Sequence, residues 1–132
     1  MQIPVNYLAV VVAALAGFLV GWGWYALFGH AGKRGLGKKE HDMKPTAMPF
    51  IIAAVALFVM AWMLAGLMTH LGNVTVRGGL VAAFFVWLGF VLTTMGVNQA
   101  FQGQKPIVTA IDTGHWLAVL AVMGAILGAF GL

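Results

Sequence analysis

The sequence predicts an all-α integral membrane protein with four transmembrane helices in an antiparallel up-down bundle. Of its 132 residues, 62% are hydrophobic and 8% are charged, whereas charged residues make up about 25% of an ordinary soluble domain. Four apolar runs are long enough to cross a bilayer, which takes about 20 helical residues. They cover roughly residues 5–28, 48–71, 79–101 and 107–132. The connections are too short for a soluble core, so residues 1–132 are expected to form a single membrane domain.

The basic residues predict the orientation of the bundle. Under the positive-inside rule, a short loop rich in Lys and Arg is cytoplasmic, which places both termini outside. We therefore interpret the net charge of +4 as a topology signal and expect the lipid bilayer, not nucleic acid, as the partner of these side chains. Five of the seven basic residues lie in the loop 29–47: Lys33, Arg34, Lys38, Lys39 and Lys44.

Several kinds of chemistry are absent from the sequence. The chain contains no cysteine, which excludes disulfides, thiolate nucleophiles and thiolate metal sites. His30, His41 and Asp42 are scattered on the loop without paired spacing, so we expect them to be solvated and predict no metal site. No catalytic residue is assigned, and the sequence leaves any cofactor unknown.

Small residues recur at helical spacing in the first and last helices. Ala9, Ala13, Gly17 and Gly21 are four residues apart, and Gly124 and Gly128 repeat the spacing. Such strips let helix backbones approach closely in a membrane. We expect these residues to pack against other helices, within the chain in preference to a dimer face.

Two helix ends carry further signals. Trp22, Trp24 and Tyr25 close the first apolar run and are interpreted as an interfacial aromatic belt, with a cofactor cage as the alternative. At the start of the second helix, Pro49 suits a first helical turn, and Thr46 or a neighbour can cap it.

The third and fourth helices contain the candidate site. Trp87, Thr94 and Asn98 are spaced to lie on one helix face, and Asp112 and His115 are three residues apart on the next helix. With a turn centred near Lys105, Asn98 is expected level with Asp112 and Thr94 level with His115. These four polar residues form the predicted cluster: Thr94, Asn98, Asp112 and His115.

Two interpretations of this cluster stay open. An ionisable residue within a membrane segment predicts a function by default, but Asp112 could also anchor or cap the N-terminus of its helix. The threonines Thr93 and Thr94 need no function, because each can bond to a carbonyl one turn earlier.

The chain resembles the domain of unknown function 1761 family of bacterial membrane proteins. The resemblance rests on Asn6-Tyr7-Leu8-Ala9, the segment 22–25, Trp87-Leu88-Gly89-Phe90, and Gly114-His115 followed by residues 122–128. It implies four helices in a bacterial cytoplasmic (inner) membrane and supplies no established activity. Members often carry an asparagine at the position of Asp112, which weakens any claim that a carboxylate there is indispensable.

Three functions are compatible with these observations. The first is an accessory or scaffold subunit that acts through helix packing with itself or with a larger membrane complex. The second is an oligomeric transporter or channel in which the cluster lines a passage. The third is a haem-binding, pigment-binding or enzymatic membrane protein that uses His115. The abundant small-residue faces and the lack of an extramembrane domain favour the first.

Overall fold

A computed structural model describes residues 5–36 and 47–131, with the backbone alone for residues 29–36. The regular structure in these ranges is helical. The helices are α1 (Tyr7–Leu36), α2 (Met48–Leu71), α3 (Val76–Phe101) and α4 (Pro106–Phe130). Each contains a stretch that is long and apolar enough to cross a membrane. The all-α fold class and the four predicted transmembrane helices are thereby confirmed.

Helix α1 is longer than the sequence predicts. Its apolar part ends at Phe28, but the helix continues to Leu36, into the segment 29–47 that we expected to be loop. Alanine, lysine, arginine and leucine in this extension favour helix, whereas its three glycines disfavour it. The predictions for six residues concern positions outside the described ranges: Lys38, Lys39, His41, Asp42, Lys44 and a cap at Thr46.

Side chains at the helix ends stabilise the starts of α1 and α3. Asn6 Oδ1 accepts from the Ala9 N–H at 3.1 Å, and Thr75 Oγ1 accepts from the Gly78 N–H at 2.9 Å. Both bonds satisfy N–H groups that have no partner within the helix. Pro49 occupies the first turn of α2 as predicted, where its missing N–H is not needed.

The core is organised around α4. Of the most apolar stretch of α4, 39% is buried inside the protein, against 11% for α3. Four of its apolar side chains are buried together with residues from the other three helices. From Trp116 onwards α4 is apolar on every face, which suits this interior position. The four are Val119, Leu120, Met123 and Leu127.

Small residues let α1 and α3 approach α4 closely. A Cβ added to Gly79 would overlap the Gly124 backbone, and one added to Gly128 would overlap the backbone of Thr75. On α1, a Cβ at Gly17 would lie 2.8 Å from Met123 Cε. The predicted strip Ala9, Ala13, Gly17, Gly21 thus faces the interior of the chain, with Ala9 1% and Ala13 0% exposed.

Helix α3 changes its winding at residues Trp87–Leu92, which form a π-helical turn. A π-turn adds a residue to the α-helical repeat and shifts every later side chain around the axis. Beyond it, Met95 and Gln99 are half-buried, whereas Thr94 and Asn98 are exposed. The inward face of the second half of α3 is therefore one residue later than regular α-helical spacing predicts.

Candidate functional site

Three helices converge on the carboxylate of Asp112. The Tyr25 hydroxyl of α1 donates to Asp112 Oδ1 at 2.6 Å, and Gln99 Nε2 of α3 donates to Oδ2 at 3.0 Å. Asp112 is half-buried and is the one acidic residue within the described ranges. Both donors are neutral, so the structure brings no basic side chain to this negative charge within those ranges.

His115 lies one turn further along α4 on the same side. Its side chain is 8% exposed, and its ring centre lies 4.9 Å from that of Tyr25 and 4.6 Å from that of Trp116. Room for the ring comes from Gly21 of α1, where an added Cβ would lie 2.8 Å from His115 Nε2. Tyr25 thus touches both His115, through its ring, and Asp112, through its hydroxyl.

Two buried polar atoms on Gln99 and His115 have no hydrogen-bond partner in the described part of the chain. They are Nδ1 of His115 and Oε1 of Gln99. A buried polar atom without a partner is unfavourable by about 1 to 3 kcal/mol. Such atoms are uncommon in folded proteins and call for an explanation such as a bound group.

Two tryptophans hold the turn of α4 that carries Asp112. Trp24 Nε1 donates to the carbonyl of Ile111 at 3.0 Å, and Trp87 Nε1 donates to the carbonyl of Thr113 at 2.7 Å. These carbonyls precede and follow Asp112 directly. The backbone around the carboxylate is therefore tied to both α1 and α3.

Of the four residues in the predicted cluster, the structure brings Asp112 and His115 together and leaves Thr94 and Asn98 outside. The expected pairing of Asn98 with Asp112 is wrong in its partner, since the neighbouring residue Gln99 makes that contact. The physical reason is the π-turn, which rotates Gln99 inward. Thr94 donates to the carbonyls of Phe90 and Val91, as expected for a threonine that satisfies itself.

The interpretation of Asp112 as a helix cap is also wrong. Helix α4 begins at Pro106 with Lys105 as the preceding residue, and its first turn contains no acidic side chain. Asp112 lies in the second turn, where backbone N–H groups already have helical partners. Its contacts are with side chains of other helices.

Sequence reasoning missed Tyr25, Gln99 and Trp24 as members of the site. Tyr25 and Trp24 were interpreted as an interfacial belt, and of that group Trp22 does face outward, with 73% exposure. A signal was available: Gly21 lies on the inward strip, and residues three and four positions later must share that face. For Gln99 no such signal exists, because the π-turn cannot be seen in the residue pattern.

The arrangement is an acceptor-rich anionic site. The Tyr25 hydroxyl donates to the Asp112 carboxylate. Within the described residues, no three His, Asp or Glu side chains come together to hold a metal ion. The chemistry that fits is the binding of a group that donates hydrogen bonds or carries positive charge.

A family model described as a protein of unknown function (DUF1761) matches residues 8–128. The chain belongs to the DUF1761 family. The match includes every residue of the site, from Tyr25 to His115. Comparison with curated proteins and with solved structures found no match. Membership in DUF1761 thus confirms the resemblance noted in the sequence and brings no assigned activity.

Proposed function

We propose that the protein is a small accessory or scaffold subunit of a bacterial cytoplasmic membrane, acting through helix packing with itself or with a larger membrane complex. The observation that carries this proposal is the outward face of the second half of α3. No residue from Trp87 to Phe101 is buried within the chain, although α3 is otherwise packed tightly at Gly79. The second half of α3 therefore has an exposed face against which another helix can pack.

The outward face of α3 is lined by small residues at helical spacing. A Cβ added at Gly89 or Gly96 would meet no atom within 4 Å, and Thr93 lies between them, with its hydroxyl bonded to the Gly89 carbonyl at 2.8 Å. Small residues on one face allow close approach of a second transmembrane helix. We call these residues the α3 strip: Gly89, Thr93, Gly96 and Ala100.

The packing of α4 favours this proposal over a passage through the chain. The polar side chains lie at one end of the bundle, and the next turns of α4 are filled by Val119, Leu120 and Met123, each at most 2% exposed. A transported species would find a dry, close-packed interior there. The His115 ring is also enclosed, with Nε2 against the α1 backbone, which disfavours axial ligation of a haem at that atom.

The absence of cysteine allows a direct test with single-cysteine variants. Oxidative cross-linking in native membranes should trap Gly96→Cys in a species of twice the mass or in a larger complex. Gly66→Cys is the matched control, since Gly66 of α2 also has open space around it. Equal cross-linking at both positions, or no cross-linking at either, would show that the α3 strip is not the face that contacts another helix.

The orientation belongs to the same proposal. Six of the seven basic residues flank one end of the bundle, which supports a cytoplasmic loop 29–47 and external termini. A reporter active only in the periplasm should be silent when inserted at Lys38 and active when fused beyond Leu132. The reverse pattern would show that the orientation is inverted.

A further inference from the structure

We propose that Asp112, Gln99 and His115 bind a primary ammonium group, supplied by an aminophospholipid headgroup or by a small free amine. The inference is independent of the scaffold function, because it rests on the Asp112 carboxylate and the free acceptors of Gln99 and His115 and not on the α3 strip. It rests on the unsatisfied atoms and the uncompensated charge described above.

The site has one negative charge and three acceptors. Asp112 contributes the charge and a carboxylate that two neutral donors share. Gln99 Oε1 and His115 Nδ1 are buried and have no partner among the described residues. A ligand that balances the charge of Asp112 and pairs with the free acceptors of Gln99 and His115 must be positive and must donate several hydrogen bonds.

A primary ammonium group meets these requirements. It carries three N–H donors and one positive charge, as a lysine side chain does. An alkali or alkaline-earth ion would also balance the charge, but hard cations prefer oxygen ligands. With the ring proton on Nε2, His115 presents Nδ1 as a nitrogen acceptor, which suits an N–H donor better than a hard cation.

Two aromatic rings pack against His115. The ring centre of Tyr25 lies 4.9 Å and that of Trp116 lies 4.6 Å from the ring centre of His115. Faces of aromatic rings attract cations within about 6 Å. The rings thus favour a cationic ligand over a neutral hydroxyl.

The site also lies at the right depth for a headgroup. Tyr25 is three residues from the end of its apolar stretch at Phe28, Gln99 is two residues from Phe101, and Asp112 is six residues from Pro106, which is about 3 to 9 Å along a helix axis. Tyr25 is 39% exposed and Asp112 is half-buried. A headgroup amine at the membrane boundary can therefore reach the carboxylate from the edge of the bundle.

The first experiment uses the unmodified protein and a methylation series. Native mass spectrometry would compare retention of phosphatidylethanolamine, its N-methyl and N,N-dimethyl derivatives and phosphatidylcholine, all with identical acyl chains. Each methyl group removes an N–H donor and keeps the charge, so retention should fall along the series, by about tenfold or more from first to last. Equal retention of all four lipids would overturn the proposal.

Competition with ethanolamine distinguishes the two sources. Displacement of bound phosphatidylethanolamine by millimolar ethanolamine would identify a free amine as sufficient. Persistence of the lipid would identify the headgroup, held also by its acyl chains, as the ligand. Both results support the ammonium site, whose rejection depends on the methylation series.

Substitutions locate the site. Asp112→Asn keeps the shape of the side chain and removes the charge, and Gln99→Met removes the free acceptor. Both should abolish the preference for phosphatidylethanolamine over phosphatidylcholine. Asn98→Leu is the control, an amide removed one residue away on the exposed face, and should retain the preference. A preference that survives Asp112→Asn would place the ammonium elsewhere. If neither variant folds, the methylation series on the unmodified protein decides.

Discussion

The Tyr25 hydroxyl lies 2.6 Å from Asp112 Oδ1, although the two residues are 87 positions apart in the chain. The contact joins the first transmembrane helix to the last. It is a charge-assisted hydrogen bond, and such bonds are stronger than those between neutral groups. Tyr25 and Asp112 therefore form the centre of the candidate site, and no sequence motif marks the pair.

Tyr25→Phe should destabilise the fold by about 1 to 2 kcal/mol, because Asp112 loses a donor and the ring packing stays. Unfolding in mixed micelles with increasing dodecyl sulfate would measure the change. Tyr7→Phe is the matched control, since Tyr7 is 58% exposed and its hydroxyl has no hydrogen bond in the described structure. A loss of stability of the same size in both variants would contradict the role assigned to the Tyr25 hydroxyl.

Asp112→Asn and Asp112→Leu should differ in stability. The asparagine keeps an oxygen acceptor for Tyr25 or Gln99, so we expect a folded protein. The leucine leaves both donors without a partner and should cost about 1 to 3 kcal/mol. The same unfolding assay compares them, and an asparagine variant as unstable as the leucine variant would mean that the charge itself maintains the fold.

The loss of stability on substitution of a glycine by alanine should depend on which atoms the added Cβ would meet. Gly79→Ala forces a Cβ into the backbone of Gly124 and should cost about 1 to 3 kcal/mol, since a backbone cannot move aside cheaply. Gly17→Ala meets the flexible end of Met123 and should cost less. Gly66→Ala meets nothing and should be neutral or stabilising by up to about 1 kcal/mol.

A different order among these three variants in thermal unfolding would show that the helices pack otherwise. In particular, a neutral Gly79→Ala would exclude the close approach of α3 to α4.

Deletion of Gly89 should convert the π-turn into a regular α-helical turn and leave later side chains on their present faces, because the turn holds the one extra residue of the helix. Gln99 would still face Asp112, and Asn98 would stay exposed. Single cysteines test this, because a water-soluble maleimide should modify position 98 faster than position 99 in both the native chain and the deletion variant. A reversed order in the deletion variant would show that the π-turn does not set the register.

The features that depend on length and spacing were predictable. The four spans follow from the apolar runs, and the inward strip of α1 follows from residues four apart, because both depend on local helical geometry. Asp112 and His115 stood out because polar residues inside apolar segments are rare.

The features that could not be predicted are the π-turn of α3 and the inward direction of two aromatic side chains of α1, and they depend on contacts between distant segments. The π-turn of α3 has no sequence marker, so the choice between Asn98 and Gln99 could not be made from periodicity. The inward direction of Trp24 and Tyr25 depends on acceptors supplied by α4, since aromatic residues at a span end also suit the membrane interface.

The indole N–H groups of Trp24 and Trp87 donate to two backbone carbonyls in one turn of α4, directly before and directly after Asp112. Neither α1 nor α3 can slide along α4 without breaking one of these bonds. A helix that docked on the α3 strip and displaced α3 would therefore pull on the Thr113 carbonyl and strain the carboxylate contacts next to it. The two tryptophans thus couple the outer surface of α3 to the Asp112 carboxylate, which side chains of α1 and α3 contact.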